Sequence, residues 1–395
     1  MVNTPALPVP GPVPSFIPVP DDNLLIVGDS ERNADMLYAV RAFVPDPFIW
    51  FTCRNRPHIV LNDPEFDRVR TEAKHCRAIS YSKHLRRLTR TSGNANPGLS
   101  DVLHAVLREH RIKKVTVAES FPLGLAKGLR RNGIKVKLRD GPFFPDRAIK
   151  SADEIKKISA ALVMAEVGLS EGIHALRRAK VGKNKELLLH HNVLTAERLR
   201  NIIATAVLQA GGNAHHTIVA AGPQGSDPHE RGHGPLSADQ PIVIDIFPRS
   251  QRTGYFGDVT RTVVRGRATE PVRSMYTAVV EAQESAMRAL RSDRLGSEVH
   301  DAAEAVLRKH GFKTQRNNGH HSGFFHGTGH GVGLEIHEAP RLSPNSTDRL
   351  LPGHVVTIEP GLYYPEIGGV RLEDVALVTR YAPRNLTKFE KQLEI

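Results

Sequence analysis

Four carboxylates and one imidazole in the C-terminal half stand out by the company they keep. Asp245 lies in the apolar run Ile-Val-Ile-Asp-Ile-Phe (242–247), and Asp258 opens Asp-Val-Thr-Arg-Thr. His330 is central in His-Gly-Thr-Gly-His-Gly-Val-Gly (326–333). Glu359 falls within Val-Val-Thr-Ile-Glu-Pro-Gly, and Glu373 within Gly-Val-Arg-Leu-Glu-Asp-Val-Ala-Leu-Val. Burying carboxylates among aliphatic side chains is very costly unless cations neutralise them. Four acids and one imidazole are what two adjacent divalent cations require. A pair of such cations activates water for hydrolysis.

The elements around these residues must bring them together. Twelve residues separate Asp245 from Asp258, with Gly254-Tyr255 among them. That spacing suits a strand, a hairpin and a return strand, which would set the two carboxylates side by side. The glycines at 327, 329, 331 and 333 remove side-chain bulk and would let the backbone approach a ligand closely. Pro360-Gly361 after Glu359 reads as a turn that leaves the carboxylate at a strand end. Arg371 and Glu373, two apart on a strand, would share one face. No strand–glycine loop–helix arrangement with a following Lys-Ser or Lys-Thr occurs, which argues against a nucleotide site.

A length of 395 residues suggests two or three domains, and 40% hydrophobic with 24% charged residues is ordinary for a globular protein. No apolar stretch reaches the roughly 20 residues of a membrane helix. The N-terminus carries no secretory pattern, and two cysteines without metal-type spacing, Cys53 and Cys76, fit a reducing cytoplasm. The net charge of +12 is concentrated: residues 81–150 hold 16 Lys and Arg against 5 Asp and Glu. That segment has no recognisable nucleic-acid motif and little aromatic interleaving, so it reads as a solvated basic face or a contact for an acidic subunit.

Seven prolines in residues 1–20 make an extended polyproline arm over 1–22. From 23 to 150, strand-like and helical segments alternate, which predicts an α/β domain. The strands are read at 24–28, 47–53, 57–61, 113–119 and 134–139, and the helices at 64–76, 99–110 and 122–132. The pattern breaks around Gly141-Pro-Phe-Phe-Pro, and residues 151–395 form the second domain. Its first helix, 151–180, starts at Ser151 with Glu154 completing a capping box. Helices at 195–210, 271–292 and 297–310 and strands at 217–221, 241–247, 261–265, 355–364 and 370–379 predict α+β. A helix-helix-strand-strand order recurs over 151–265 and 271–379, which suggests two related halves.

The segments Ile244-Asp-Ile, Gly257-Asp-Val-Thr-Arg-Thr, residues 326–338, Thr357-Ile-Glu-Pro-Gly and Val370-Arg-Leu-Glu-Asp resemble, in order, the pita-bread metallopeptidases. That family includes methionine aminopeptidases, Xaa-Pro aminopeptidases, prolidases and the metal-free creatinases. Residues 23–150, with Ala34-Asp-Met-Leu-Tyr-Ala-Val-Arg-Ala-Phe, resemble the creatinase-type N-terminal domain, which methionine aminopeptidases lack. The resemblance implies that Asp245 chelates one metal, that Asp258 and Glu373 bridge two, and that His330 and Glu359 complete the second. Glu359 would accept a proton from the attacking water. His229, His326 and His337 match positions that contact substrate, and Arg371 matches an arginine near it.

Two departures fall in the hairpin: the first two aspartates are further apart than is usual, and Phe247 stands where a glycine is expected. A longer turn with both carboxylates retained is the expectation. The expected activity is therefore an Xaa-Pro aminopeptidase acting on peptides with proline second. A prolidase is the alternative, and a non-catalytic scaffold or nucleic-acid binder is the rival of another class. Two divalent ions, Mn²⁺ first among Co²⁺, Zn²⁺ and Fe²⁺, suit an oxygen-rich set with one histidine. A cytoplasmic homo-oligomer, most simply a dimer, without membrane or nucleic-acid partners completes the expectation.

Overall fold

Alternate residues of the N-terminal strands face opposite cores, so both faces of one sheet are covered. The computed structural model describes residues 23–91, 96–317 and 320–395, and the polyproline arm lies outside them. The chain divides between Arg147 and Ala148 rather than after Lys150. The Lys150 N–H donates to Gly353 O and Ile149 bridges His354, which ties this stretch to the second unit.

In the first unit, β1 (Leu25–Gly28), β2 (Phe48–Cys53), β3 (Arg56–Leu61) and β4 (Arg77–Ser80) form a sheet in that order. Arg54 and Asn55, both at positive φ, make the two-residue turn between β2 and β3. The parallel pair β5 (Lys114–Val117) and β6 (Lys135–Leu138) joins beside β1 through a bridge from Leu24 to Thr116. Leu25, Val27, Ile49 and Phe51 pack on one side with α4 (Leu99–Glu109) and α5 (Leu123–Arg131). Ile26, Phe48 and Trp50 pack on the other with α1 (Ala34–Val40) and α2 (Asp63–Glu72). This is the expected α/β domain. The sequence patterns missed α1 and α3 (Tyr81–Thr91): α1 is too short to show a period, and α3 is dominated by its basic residues. Lys83, Arg86, Arg87 and Arg90 of α3 are exposed.

The second unit opens with α6 (Ala152–Arg178), whose Ser151–Glu154 capping box is present as expected. With α7 (Ala196–Gln209) it precedes an antiparallel sheet of β7 (Ile218–Ala221), β8 (Pro241–Ile246) and β9 (Val259–Val264). A second helix pair, α8 (Glu270–Ala289) and α9 (Gly296–Lys309), precedes the other strands. Of these, β10 (Gly329–Gly331), β11 (Glu338–Leu342), β12 (Val355–Ile358) and β15 (Asp374–Leu377) line up as β11-β10-β12-β15. Between β12 and β15 run β13 (Gly361–Tyr364) and β14 (Gly368–Arg371), paired with each other. The unit is α+β, built from two helix-pair-plus-sheet halves. No helix of the described residues is long and apolar enough to cross a membrane.

One correction bears on the site. Residues 355–364 and 370–379, each read as one strand, are both interrupted, at Glu359-Pro360 and at Leu372-Glu373. Pro360 has no N–H to give a ladder. The long hairpin keeps its register across this level but its ladder lapses there, and Glu359 and Glu373 sit at the break rather than within strands.

Candidate metal centre

The expected hairpin brings the two aspartates together. In β8, Asp245 pairs across to Thr260 of β9, and Asp258 stands immediately before β9. Glu373 joins them because its N–H donates to Thr260 O (3.0 Å) while Thr260 Oγ1 donates to its Oε2 (2.7 Å). Glu359 is tied to the histidine loop by its N–H, which donates to Thr328 O (2.7 Å). Asp258, His330 and Glu373 offer ligand atoms that all lie within 4.8 Å of one another. The glycines around His330 serve the neighbouring strands rather than a ligand. A Cβ on Gly329 would collide with Thr357 O, and one on Gly331 with Ala339 O.

The tautomer of His330 follows from its backbone partner. Its Nδ1 lies 3.1 Å from Gly331 O and so carries the hydrogen, which turns the Nε2 lone pair towards the acids. That Nε2 is 3.3 Å from Glu359 Oε1 and 3.9 Å from Asp258 Oδ2. Lone pairs that face each other across such distances repel unless a positive charge stands between them.

The pKa shifts point the same way. Burial first, then the charges of Glu373, Asp245 and Glu359, push Asp258 well above the usual carboxylate range. Glu373 is also raised well above it, by burial and then by Glu359 and Asp245. Asp245 is raised by burial, against the pull of Arg371. Glu359 goes the other way. Burial raises it, but a hydrogen bond and positive charge from His330, then the charges of His326 and Arg371, bring it to about 2 when those imidazoles are protonated. A cation between His330 and the acids would otherwise supply that charge.

Residues 156–380 match metallopeptidase family M24. The chain belongs to that family. An Xaa-Pro dipeptidase of Pyrococcus horikoshii is 32% identical over 289 residues, covering 71% of this chain and 75% of the relative. The solved prolidase of Pyrococcus horikoshii has a TM-score of 0.76 at 25% identity, over 94% of this chain and 95% of that one. An X-Pro aminopeptidase of Thermotoga maritima has a TM-score of 0.79 at 22% identity, over 95% and 97%, and shares the fold.

This M24 chain also passes a test of fit for cations. Asp245 Oδ1 is buried with no hydrogen-bond partner among the described residues. Its other oxygen is held by Arg371 Nη2 at 2.8 Å, so the unsatisfied one is available to a cation. Four carboxylates here face one guanidinium and one imidazole, an excess of negative charge that divalent cations would balance.

The remaining expected residues are placed unevenly. His337 meets His330 edge to face, with ring centroids 4.3 Å apart. Partial burial, then His330 and Arg341, bring its pKa down to about 4, so it is neutral near pH 7. His229 is exposed on a loop, and its N–H donates to Asp227 Oδ1 (2.9 Å). Arg371, expected near substrate, is 4% exposed and held on both sides: Nη2 by Asp245 and Nη1 by Tyr363 Oη (2.9 Å). His326 completes the chain. Its Nδ1–H faces Gly327 O (2.7 Å), leaving Nε2 to accept from the Tyr363 hydroxyl (2.9 Å).

Tyr363, fully buried and raised to about 12 by burial, was not singled out in the sequence. Nothing in its context marked it, because its partners come from across the hairpin. Thr260 and Thr357 left a signal that was not used. Each is two residues from an acid, on the same strand face as Asp258 and Glu359. Thr357 Oγ1 accepts from the His330 N–H (3.1 Å).

Proposed function

We propose that the protein is an Xaa-Pro dipeptidase that holds two divalent cations through Asp245, Asp258, His330, Glu359 and Glu373. The donor set carries the reaction type: buried acids in excess, and one histidine whose backbone bond frees Nε2 toward them. The substrate class is supported by the 32% identical relative, an Xaa-Pro dipeptidase. The sequence alone put the aminopeptidase first. The curated relative favours the dipeptidase, and the likeness to the Thermotoga maritima aminopeptidase, at 22% identity, bears on fold.

Bound cations would supply Lewis acidity, lowering the pKa of a water and offsetting charge at the attacked carbonyl. Glu359, held ionised, is in the form that accepts a proton. Neutral His337 can donate a hydrogen bond to the attacked carbonyl or face the departing proline nitrogen. His229 and His326 would contact the substrate. Arg371 fixes Asp245 and Tyr363 in place. Mn²⁺ fits the oxygen-rich set best. A cytoplasmic homodimer completes the proposal, and the unpaired Cys53 and Cys76 agree with a reducing compartment.

The test is steady-state hydrolysis of an Xaa-Pro dipeptide beside an Xaa-Pro-Yaa tripeptide and an Xaa-Ala dipeptide, with Mn²⁺ present. Rapid cleavage confined to the Xaa-Pro dipeptide is expected. Faster turnover of the tripeptide would restore the aminopeptidase reading, and equal turnover of Xaa-Ala would overturn the proline specificity.

A further inference from the structure

The apolar face of α8 contains one amide. Its buried residues are Val272, Met275, Ala278, Val279, Ala282, Gln283 and Ala286, and Gln283 is 1% exposed. Burying an amide costs several kcal/mol unless its hydrogens are used. Both are used here: Nε2 donates to Ile358 O (2.9 Å) and to Leu372 O (3.1 Å). Two carbonyl acceptors at one atom dictate the amide orientation, since the reverse would set oxygen against oxygen. Oε1 is left buried without a partner among the described residues. The core tolerates that unsatisfied oxygen for the sake of the two donors.

Those two carbonyls belong to the residues just before Glu359 and Glu373. They sit where the ladder of the long hairpin lapses without a change of register: Ile358 pairs with Asp374, the next pair is Gly361 with Arg371, and the two residues between on each strand drop out of the ladder. The other end of each peptide group is also held. The Glu359 N–H donates to Thr328 O and the Glu373 N–H to Thr260 O. Each peptide plane leading into a glutamate is therefore gripped at both ends, and one side chain supplies the carbonyl grip for both. We infer that Gln283 is a positioning residue that sets the spacing of the Glu359 and Glu373 carboxylates, and through it the affinity of the centre for divalent cations. This rests on the reading that both glutamates bind metal.

The experiment compares metal-free wild type with Gln283→Met, which keeps the length and removes the donors, and with Val279→Ala, which opens the same core against the same hairpin but leaves the amide donors in place. Each is titrated with Co²⁺ and followed by calorimetry and by the visible absorption of the bound ion. Hydrogen exchange of the metal-free proteins is measured in parallel over 357–360 and 371–374. Gln283→Met should bind Co²⁺ roughly 10-fold or more weakly, with an altered spectrum and faster exchange in those two segments. Val279→Ala should lose thermal stability yet keep affinity, spectrum and local exchange. Wild-type affinity and exchange in Gln283→Met would overturn the inference alone, as would an equal loss in Val279→Ala. A wild type that takes up no Co²⁺ would overturn the metal reading as well.

Discussion

Glu373 and Asp374 are neighbours on the chain, equally hidden at 2% and 1% exposure, and they live in opposite electrostatic surroundings. Asp374 is saturated with positive charge and donors. Arg261 Nη2 lies 2.8 Å from one oxygen, while Lys391 Nζ at 2.9 Å and Asn385 Nδ2 at 3.0 Å reach the other. Arg261 spends its remaining hydrogens on the carbonyls of Thr260, Glu373, Phe389 and Glu390. Glu373 faces the other way, towards Asp258, Asp245 and Glu359. In the first cluster two cations more than neutralise the one acid, so it calls for no further positive charge. The second is open by several negative charges, and this imbalance marks it as a place for cations. Burial alone does not distinguish a structural acid from a functional one; the local sum of charge does.

The strongest way to break this comparison is to remove the balanced acid. Asp374→Asn leaves the Arg261 guanidinium buried without its counter-charge and should cost about 3–5 kcal/mol of stability. Denaturant unfolding checks this, and a loss below about 1 kcal/mol would show that the cluster is not a closed pair. Asp258→Asn should do the opposite to the metal-free protein. It removes one of several repelling carboxylates, so the melting temperature of the metal-free protein should rise. Activity and Mn²⁺ binding should both fall roughly 100-fold or more. A metal-free melting temperature that falls instead would contradict the assigned excess of negative charge.

Arg371 belongs to both descriptions, as the single guanidinium at the acid-rich site among the described residues. Arg371→Lys cannot bond Asp245 and Tyr363 together, and metal affinity should drop about 10- to 100-fold, read by titration. Unchanged affinity would detach Arg371 from the centre.

The smallest expected effect concerns His354, near the start of β12. Its Nδ1 accepts from the Leu351 N–H at 3.1 Å, and burial, then Lys150, lower its pKa to about 4. The unfolded chain takes up a proton near pH 6.5 and the folded one does not. This contribution to stability is therefore whole above pH 6.5 and is lost as pH falls towards 4. By pH 5.5 the loss should amount to about 1.4 kcal/mol. His354→Asn should flatten that slope in unfolding experiments, and an unchanged slope would assign it to the acids.

Much of this could be read in the sequence, for identifiable reasons. Asp245 among isoleucines and valine announced an expensive burial, and the glycines around His330 announced a close approach, which proved to be to neighbouring strands rather than to a ligand. The Ser151–Glu154 box fixed a helix start because capping uses neighbours three residues apart. The continuous strands drawn through Glu359 and Glu373 were too long. Hydrophobic alternation carries on across the residues where the ladder lapses, and only Pro360-Gly361 after Glu359 marked a strand end there.

Residue type and spacing thus determined which side chains must find cations or counter-charges, because the cost of burying a carboxylate is intrinsic to the group. Only the tertiary structure decided how each debt is met. Asp374 meets Arg261 from a strand more than a hundred residues earlier, and Arg371 reaches back to Asp245 across a similar interval. Gln283 grips two carbonyls from a separate helix. Such partners are distant along the chain and are chosen by the packing of whole elements. No local stretch of sequence holds that information.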